Sequence, residues 1–413
     1  MHQASGWFAG LKLRLLFVAP VLATAFSYAA STWTSAAFHV PRTARTDGFI
    51  ERAGTRFMLN GKPFFVVGVN NHYLTFGSQR EVTRVLDDAV SLGANVVRTF
   101  LQPVIGSPDG STPTIWNSHA RGNTSDLNVH NTYLLYWDSM HQKMAVNDGP
   151  DGMQKVDFLI AEAKKRNLRL IIAFADFWAY TGGAQQMRAW YGSDDKNAFF
   201  FEDPRTQRDF KHWVSHVLAR VNPLTHVAYR DDPTIFAWDL MNEPNAQPAA
   251  LGDAWISTMS AYVKSIDKHH LVSSGQANVT NELSDLAIPT VDFGTWHGYP
   301  AYYNLTPSQF NTLITKFCHL GKIADKPVLL EEFGYARSHP DQAEVYRTWL
   351  TTIANDPDCA GWVIWRLVSL QDNGSFPLDQ HDQFDVHADG GRTWQVLKAA
   401  AATESAQSAR LSH

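Results

Sequence analysis

Ile235-Phe236-Ala237-Trp238-Asp239-Leu240-Met241-Asn242-Glu243-Pro244 is the stretch on which the reading of this chain turns. Residues 235–240 form a short apolar run, broken only by Asp239, of the kind found in a strand buried on both faces. The run ends in an amide and a carboxylate and is stopped by Pro244. Such a strand needs helices on either side, so similar runs should recur between amphipathic segments. They do, at 64–69, 95–99, 168–174, 271–274, 291–295, 327–330 and 361–365, which makes eight. Between them, Ser78-x-x-Glu81 has the form of a capping box ahead of Val82, Val85, Leu86 and Val90. Asp203-Pro204 supplies a cap and a first-turn proline ahead of Phe210, Trp213, Val214, Val217 and Leu218. Trp255, Met259, Tyr262, Val263 and Ile266 repeat the helical spacing, as do Phe310, Leu313, Ile314 and Phe317, and Val345, Trp349, Leu350 and Ile353. Strands alternating with helices pair in parallel, and eight such units predict an α/β fold closed as a (β/α)8 TIM barrel. Ahead of it, Phe57-Met58-Leu59, Asn60-Gly61 and the following apolar run predict a short N-terminal β-hairpin.

Two connections are longer than a helix requires, residues 101–152 and 176–202, and both follow the C-terminal end of a strand, where barrel enzymes build their sites. Both are rich in aromatics, and Trp116, Trp137, Trp178 and Trp190 are candidates for the walls of a cleft. Residues 1–30 read as an export signal: Lys12 and Arg14 precede an apolar stretch at 15–28, too short for a membrane span, with cleavage expected between 29 and 37. Residues 31–47 read as a flexible leader, 48–401 as the barrel and 402–413 as a frayed tail. The mature chain is therefore expected to be secreted, free of the membrane and monomeric.

Composition narrows the function. With 35 Lys+Arg against 40 Asp+Glu there is no basic excess to hold a polyphosphate, so a nucleic-acid partner is not expected. Two cysteines exclude a four-cysteine zinc site, and the 17 His include no His-Glu-x-x-His, so no metal or other cofactor is expected. The 14 Trp suit a surface that stacks flat polar ligands such as sugars. Cys318 and Cys359 precede the seventh and eighth strands at the N-terminal face, where a disulfide and two buried free thiols are both open readings.

The strand ends carry the chemistry. Strand four ends in Asn242-Glu243, strand seven in Glu331-Glu332, strand two in Arg98, strand six in His297 and Tyr299, and strand eight in Trp365. Two carboxyls facing each other across a barrel mouth suit glycoside hydrolysis, in which one protonates the leaving oxygen and the other attacks the anomeric carbon. Asn242-Glu243-Pro244, Glu332-Phe333-Gly334, Arg98-Thr99-Phe100 and His297-x-Tyr299 resemble the motifs of glycoside hydrolase family 5. Residues 227–235, Val-Ala-Tyr-Arg-Asp-Asp-Pro-Thr-Ile, are most similar to those of its endo-β-1,4-mannanases.

The resemblance implies a retaining hydrolase of mannan, glucomannan or galactomannan. It assigns Glu243 as acid/base and Glu332 as nucleophile. Arg98 and Tyr299 would support Glu332, Asn242 would bind the sugar 2-hydroxyl, His297 would order the acid/base side, and Trp365 would floor the reacting subsite. Strand alternation predicts that only one of Glu331 and Glu332 faces the cleft, and the roles require Glu243 protonated and Glu332 ionised. Two positions depart from the mannanase pattern: Phe100 replaces a Trp, and Asn71-His72-Tyr73 stands where the first strand would end in x-Tyr-Trp. An endo-β-1,4-glucanase and a non-catalytic carbohydrate-binding barrel are the alternatives.

Overall fold

The chain enters through an antiparallel sheet of Ile50–Ala53 (β1), Arg56–Leu59 (β2) and Lys62–Phe64 (β3). Asn60 and Gly61 make the β2–β3 turn with positive φ at both positions (51° and 74°), the conformation for which Asn-Gly is suited. The structure is a computed structural model and describes residues 48–115, 132–277, 279, 283–377 and 383–410. The apolar run at 64–69 is split. Phe64 closes the hairpin, and the first barrel strand, Val66–Asn70 (β4), begins two residues later.

Val96–Phe100 (β5) follows, then a hairpin of Leu135–Asp138 (β6) and Lys143–Val146 (β7) within the long second connection. The remaining barrel strands are Arg169–Ala173 (β8), Ile235–Asp239 (β9), Leu271–Ser273 (β10), Gly294–Gly298 (β11), Val328–Phe333 (β12) and Gly361–Ile364 (β13). Strand six thus lies three residues beyond the expected 291–295: ahead of it, Val291 is buried in the main core and Phe293 in the barrel floor. The eight parallel strands run in the order β10-β9-β8-β5-β4-β13-β12-β11, a TIM barrel in which two backbone bonds bridge the β10–β11 seam. They run from Asp292 N to Val272 O and from His297 N to Ala277 O, both at 2.8 Å.

Helices alternate with these strands, among them Gln79–Leu92, whose Ser78 and Glu81 form the capping box, and Pro204–Ala219, capped by Asp203. Their apolar faces bury against the outside of the sheet. The barrel floor is a second cluster, in which Phe57 of the hairpin packs edge-on against Phe236 (4.9 Å) and Phe293 (5.2 Å). The hairpin therefore plugs the N-terminal end, leaving the C-terminal mouth for a site. The last helix, Arg392–Arg410, runs well past residue 401, where fraying was expected. Alanine-rich sequence favours helix, and Leu397, Ala401 and Glu404 are buried, so packing continues beyond the last clear apolar repeat.

Cys318 and Cys359 are joined, with Cα atoms 4.7 Å apart and 41 residues between them in sequence. The bond ties helix Pro307–Ala324 to the segment entering β13, at the face opposite the mouth. On a chain-entropy estimate a loop of this size is worth about 4 kcal/mol. Mild reduction is therefore expected to lower Tm by several degrees while room-temperature turnover stays within about twofold, as calorimetry and an activity assay on the same sample would show. Titration of two free thiols per denatured, unreduced chain would contradict the bond.

Candidate active site

The mouth is organised by a buried cation. Arg98, at the middle of β5, is fully buried and makes side-chain hydrogen bonds to four residues, with Glu331 as a further ion-pair partner. Nη1 reaches Glu332 Oε1 at 2.6 Å and Asn70 Oδ1 at 3.2 Å, Nε reaches Asp239 Oδ2 at 2.8 Å, and Nη2 reaches Asn242 Oδ1 at 3.1 Å. Burial alone would weaken the guanidinium's hold on its charge, but Glu331, Asp239 and Glu332 outweigh it and raise Arg98 further. Asn70 and Asp239 were not singled out as site residues from the sequence, though each ends a strand.

Glu332 also accepts a hydrogen bond from Tyr299 Oη on its other oxygen, at 2.5 Å. Across the cleft, Glu243 accepts from Trp178 Nε1 at 2.7 Å and pairs with His297 Nδ1 at 2.7 Å. One oxygen of Glu243, one of Glu332 and a His297 nitrogen all lie within 4.8 Å of one another. Glu243 sits in the left-handed region (φ 50°), uncommon for a residue with a side chain. Its amide donates to Gly275 O at 2.8 Å, an approach that depends on glycine: a Cβ at Gly275 would come within 2.1 Å of Met241 O.

Strand alternation does not hold at Glu331-Glu332. The β11–β12 register shifts here, with Trp296 opposite Leu330 and His297 opposite Glu332, so Glu331 is the extra residue of a bulge. Both carboxyls consequently turn inward: Glu331 Oε2 reaches His297 Nε2 at 3.2 Å and Arg98 Nε at 3.3 Å. Glu331 lies behind the pair, fully buried, and Glu332 lies in front with its side chain 5% exposed.

In the free site the two facing carboxyls are pushed apart in the order opposite to the one their roles require once substrate is bound. Burial raises Glu243, but the hydrogen bond and charge of His297, Trp178 and Arg98 outweigh it and hold the group below its ordinary value. Burial, aided by Glu243, keeps Glu332 above its ordinary value against the pull of His297 and Arg98. Burial also opposes charge on His297, yet Glu332, Glu243 and Glu331 push it up to about 10. In the free site the acidic proton therefore rests on His297, beside Glu243.

The candidate aromatics divide. Trp178 is 44% exposed and reaches Glu243, whereas Trp137 and Trp190 are buried against each other (6.0 Å) and pack the β6–β7 hairpin onto the 176–202 connection. The long insertions need a core of their own, and these two rings supply it. Trp116 lies outside the described residues. Trp365 is flanked by Phe100 at 6.1 Å and His72 at 6.4 Å, so both positions that depart from the mannanase pattern meet at one ring. Arg366 Nη1 donates to His72 Nδ1 at 2.8 Å and its fork reaches Asp385 at 3.3 Å, which fixes that side of the mouth.

Asp176 is a further site residue that sequence reading passed over, although it lies just past the end of the third barrel strand. Its Oδ1 accepts from Asn242 Nδ2 at 3.0 Å, and burial pushes it up to about 7.

Known proteins share this architecture and sequence. The endo-1,4-β-mannanase of Rhizomucor miehei superposes with a TM-score of 0.74 at 30% identity, over 86% of this chain and 99% of that one. Mannan endo-1,4-β-mannosidase 3 of Arabidopsis thaliana is 29% identical over 79% of this chain and 84% of its own length. Mannan endo-1,4-β-mannosidase A of Podospora anserina is 28% identical over 72% of this chain and 76% of its own length. The family model described as glycoside hydrolase family 5, β-mannosidase-like, matches residues 122–356, from the long second connection past both facing glutamates. The chain is thus a glycoside hydrolase and belongs to family 5, in its β-mannosidase-like branch.

Proposed function

We propose that the protein is a secreted endo-β-1,4-mannanase that works by double displacement with retention. The observation that carries the mechanism is the close approach of Glu243 and Glu332, with carboxylate oxygens within 4.8 Å of each other. Direct attack uses carboxyls about 5–5.5 Å apart, whereas an inverting pair needs roughly 6.5–9.5 Å to admit a water. Glu332 is the nucleophile: Arg98 and Tyr299 hold both its oxygens and aim it at the anomeric carbon. Glu243 is the acid/base. Its side chain is 22% exposed in the free site, so a bound sugar strips solvent from it and raises it, as desolvation does to any carboxyl. His297 stays charged beside it, so the proton Glu243 then needs is taken up from solvent.

The named activities of the relatives support mannan as substrate. The alternative, an endo-β-1,4-glucanase, draws on Phe100 and His72 at Trp365, where the usual rings are replaced. Carob galactomannan is expected to be cleaved to short oligosaccharides, with the β-anomer appearing first by proton NMR, and carboxymethylcellulose to be cleaved at least about tenfold more slowly. Cleavage of the cellulose derivative alone would overturn the substrate. An initial α-anomer would overturn retention, and binding without hydrolysis would favour the non-catalytic barrel. Export is supported by the charged and apolar pattern of residues 1–30 and by the disulfide. A mature N-terminus outside 29–37 would contradict that reading.

A further inference from the structure

We propose that Asp176 is a positioning residue for the reaction, fixing the amide of Asn242 in the one rotation that offers an N–H to a sugar hydroxyl at the reacting ring. The inference rests on the function proposed above. An amide has one accepting end and one donating end of nearly the same shape, and only their partners tell them apart. Here the surroundings do. Arg98 Nη2, which can only donate, faces one end of Asn242 at 3.1 Å, and the Asp176 carboxyl faces the other at 3.0 Å. A flipped amide would set NH2 against a guanidinium that can only donate, losing the Arg98 bond outright. In the held rotation one Nδ2 hydrogen goes to Asp176, and the second has no protein acceptor among the described residues. Asn242 stands next to Glu243 at the end of the strand, so that hydrogen is available to the ring under attack.

Asp176 is itself held firmly. Its carbonyl accepts from Ala184 N at 2.8 Å, and the chain crosses so close that a Cβ at Gly183 would lie 2.3 Å from that oxygen. The backbones of Asp176 and Asn242 pair as a parallel bridge, with Asn242 N donating to Ala175 O at 2.8 Å and Phe177 N to Asn242 O at 3.0 Å. Asp176 Oδ1 also accepts from Trp178 N at 3.3 Å, which sets the start of the segment whose indole reaches Glu243.

Asp176→Ala is expected to lower kcat/KM on mannan about 10–100-fold, mostly in kcat, because a 2-hydroxyl contact strengthens toward the transition state. Asp176→Asn keeps a carbonyl for both donors and should stay within about threefold of wild type. Asp176→Ala/Asn242→Ala should be no slower than Asn242→Ala alone, since the first residue acts through the second. On a dinitrophenyl 2-deoxy-β-glycoside, which lacks the hydroxyl, the Asp176→Ala loss should shrink to less than about threefold. A general structural defect would instead slow both substrates equally. Wild-type rates for Asp176→Ala, or losses that multiply in the double variant, would overturn the proposal. If the alanine variant does not fold, Asp176→Ser, too short to reach Asn242, tests the same losses. Wild-type turnover of mannan in the same assay separates a failure here from a failure of the functional reading.

Discussion

Glu332→Gln is expected to abolish turnover of mannan and of aryl β-mannosides alike, by on the order of 10⁴-fold or more in kcat. Both substrates pass through attack by Glu332, so a better leaving group cannot bypass the loss. The amide is nearly isosteric, but its neutral carbonyl oxygen is a far poorer nucleophile than a carboxylate. Its NH2 end would also have to face either Arg98 Nη1, now 2.6 Å from Oε1, or Tyr299 Oη, now 2.5 Å from Oε2. Glu331→Gln is the informative companion. Glu331 touches the same arginine but lies behind the cleft, so it should retain at least about tenfold more activity than Glu332→Gln. Steady-state kinetics on both substrates decides the matter. More than about 1% residual activity in Glu332→Gln, or equal losses at the two positions, would overturn the assignment.

The Glu331/Glu332 pair also shows where sequence reading ends. Strand alternation is a property of a regular ladder, and nothing in Leu329-Leu330-Glu331-Glu332-Phe333 announces that the ladder slips by one residue against β11. The choice of Glu332 came from its Phe-Gly continuation rather than from alternation. What was legible were features that a single segment determines: continuous apolar runs, the capping box at Ser78, the Asn60-Gly61 turn, and the polar groups at strand ends. What was not legible depended on segments meeting in space. Trp137 and Trp190 are as suitable in composition for a cleft wall as Trp178, and only the packing of two insertions on each other buries the first two. Asp239 gives no signal as a partner for Arg98, because the pairing spans 141 residues. The order of the carboxyl affinities in the free site was not legible for the same reason. It is set by where His297 sits, and His297 belongs to a strand whose position along the chain was itself misjudged by three residues.

Glu243→Gln should separate the two half-reactions. With a dinitrophenyl leaving group, which needs no proton, glycosylation should slow less than about tenfold and appear as a burst of dinitrophenol. With mannan, turnover should fall about 10³-fold or more. Azide should restore turnover of the activated substrate by taking the place of the water that Glu243 would activate. Equal loss on both substrates, without a burst, would contradict the acid/base role. The geometry adds a sharper consequence. Glu243 is held below its ordinary value in the free site by charged His297 and must be protonated in the complex, so binding an oligosaccharide should draw protons from solvent at pH 6. Calorimetry in buffers of different ionisation enthalpy should report net uptake for wild type and close to none for Glu243→Gln. The stability of the free protein carries the same signature with its own sign. His297 is raised from 6.5 to about 10, so the stabilisation from its charge is complete below pH 6.5 and is lost as pH climbs through 10. Wild-type Tm should therefore fall more steeply than that of His297→Gln between those limits. Parallel curves would mean that His297 is not the charged partner on which Glu243 depends.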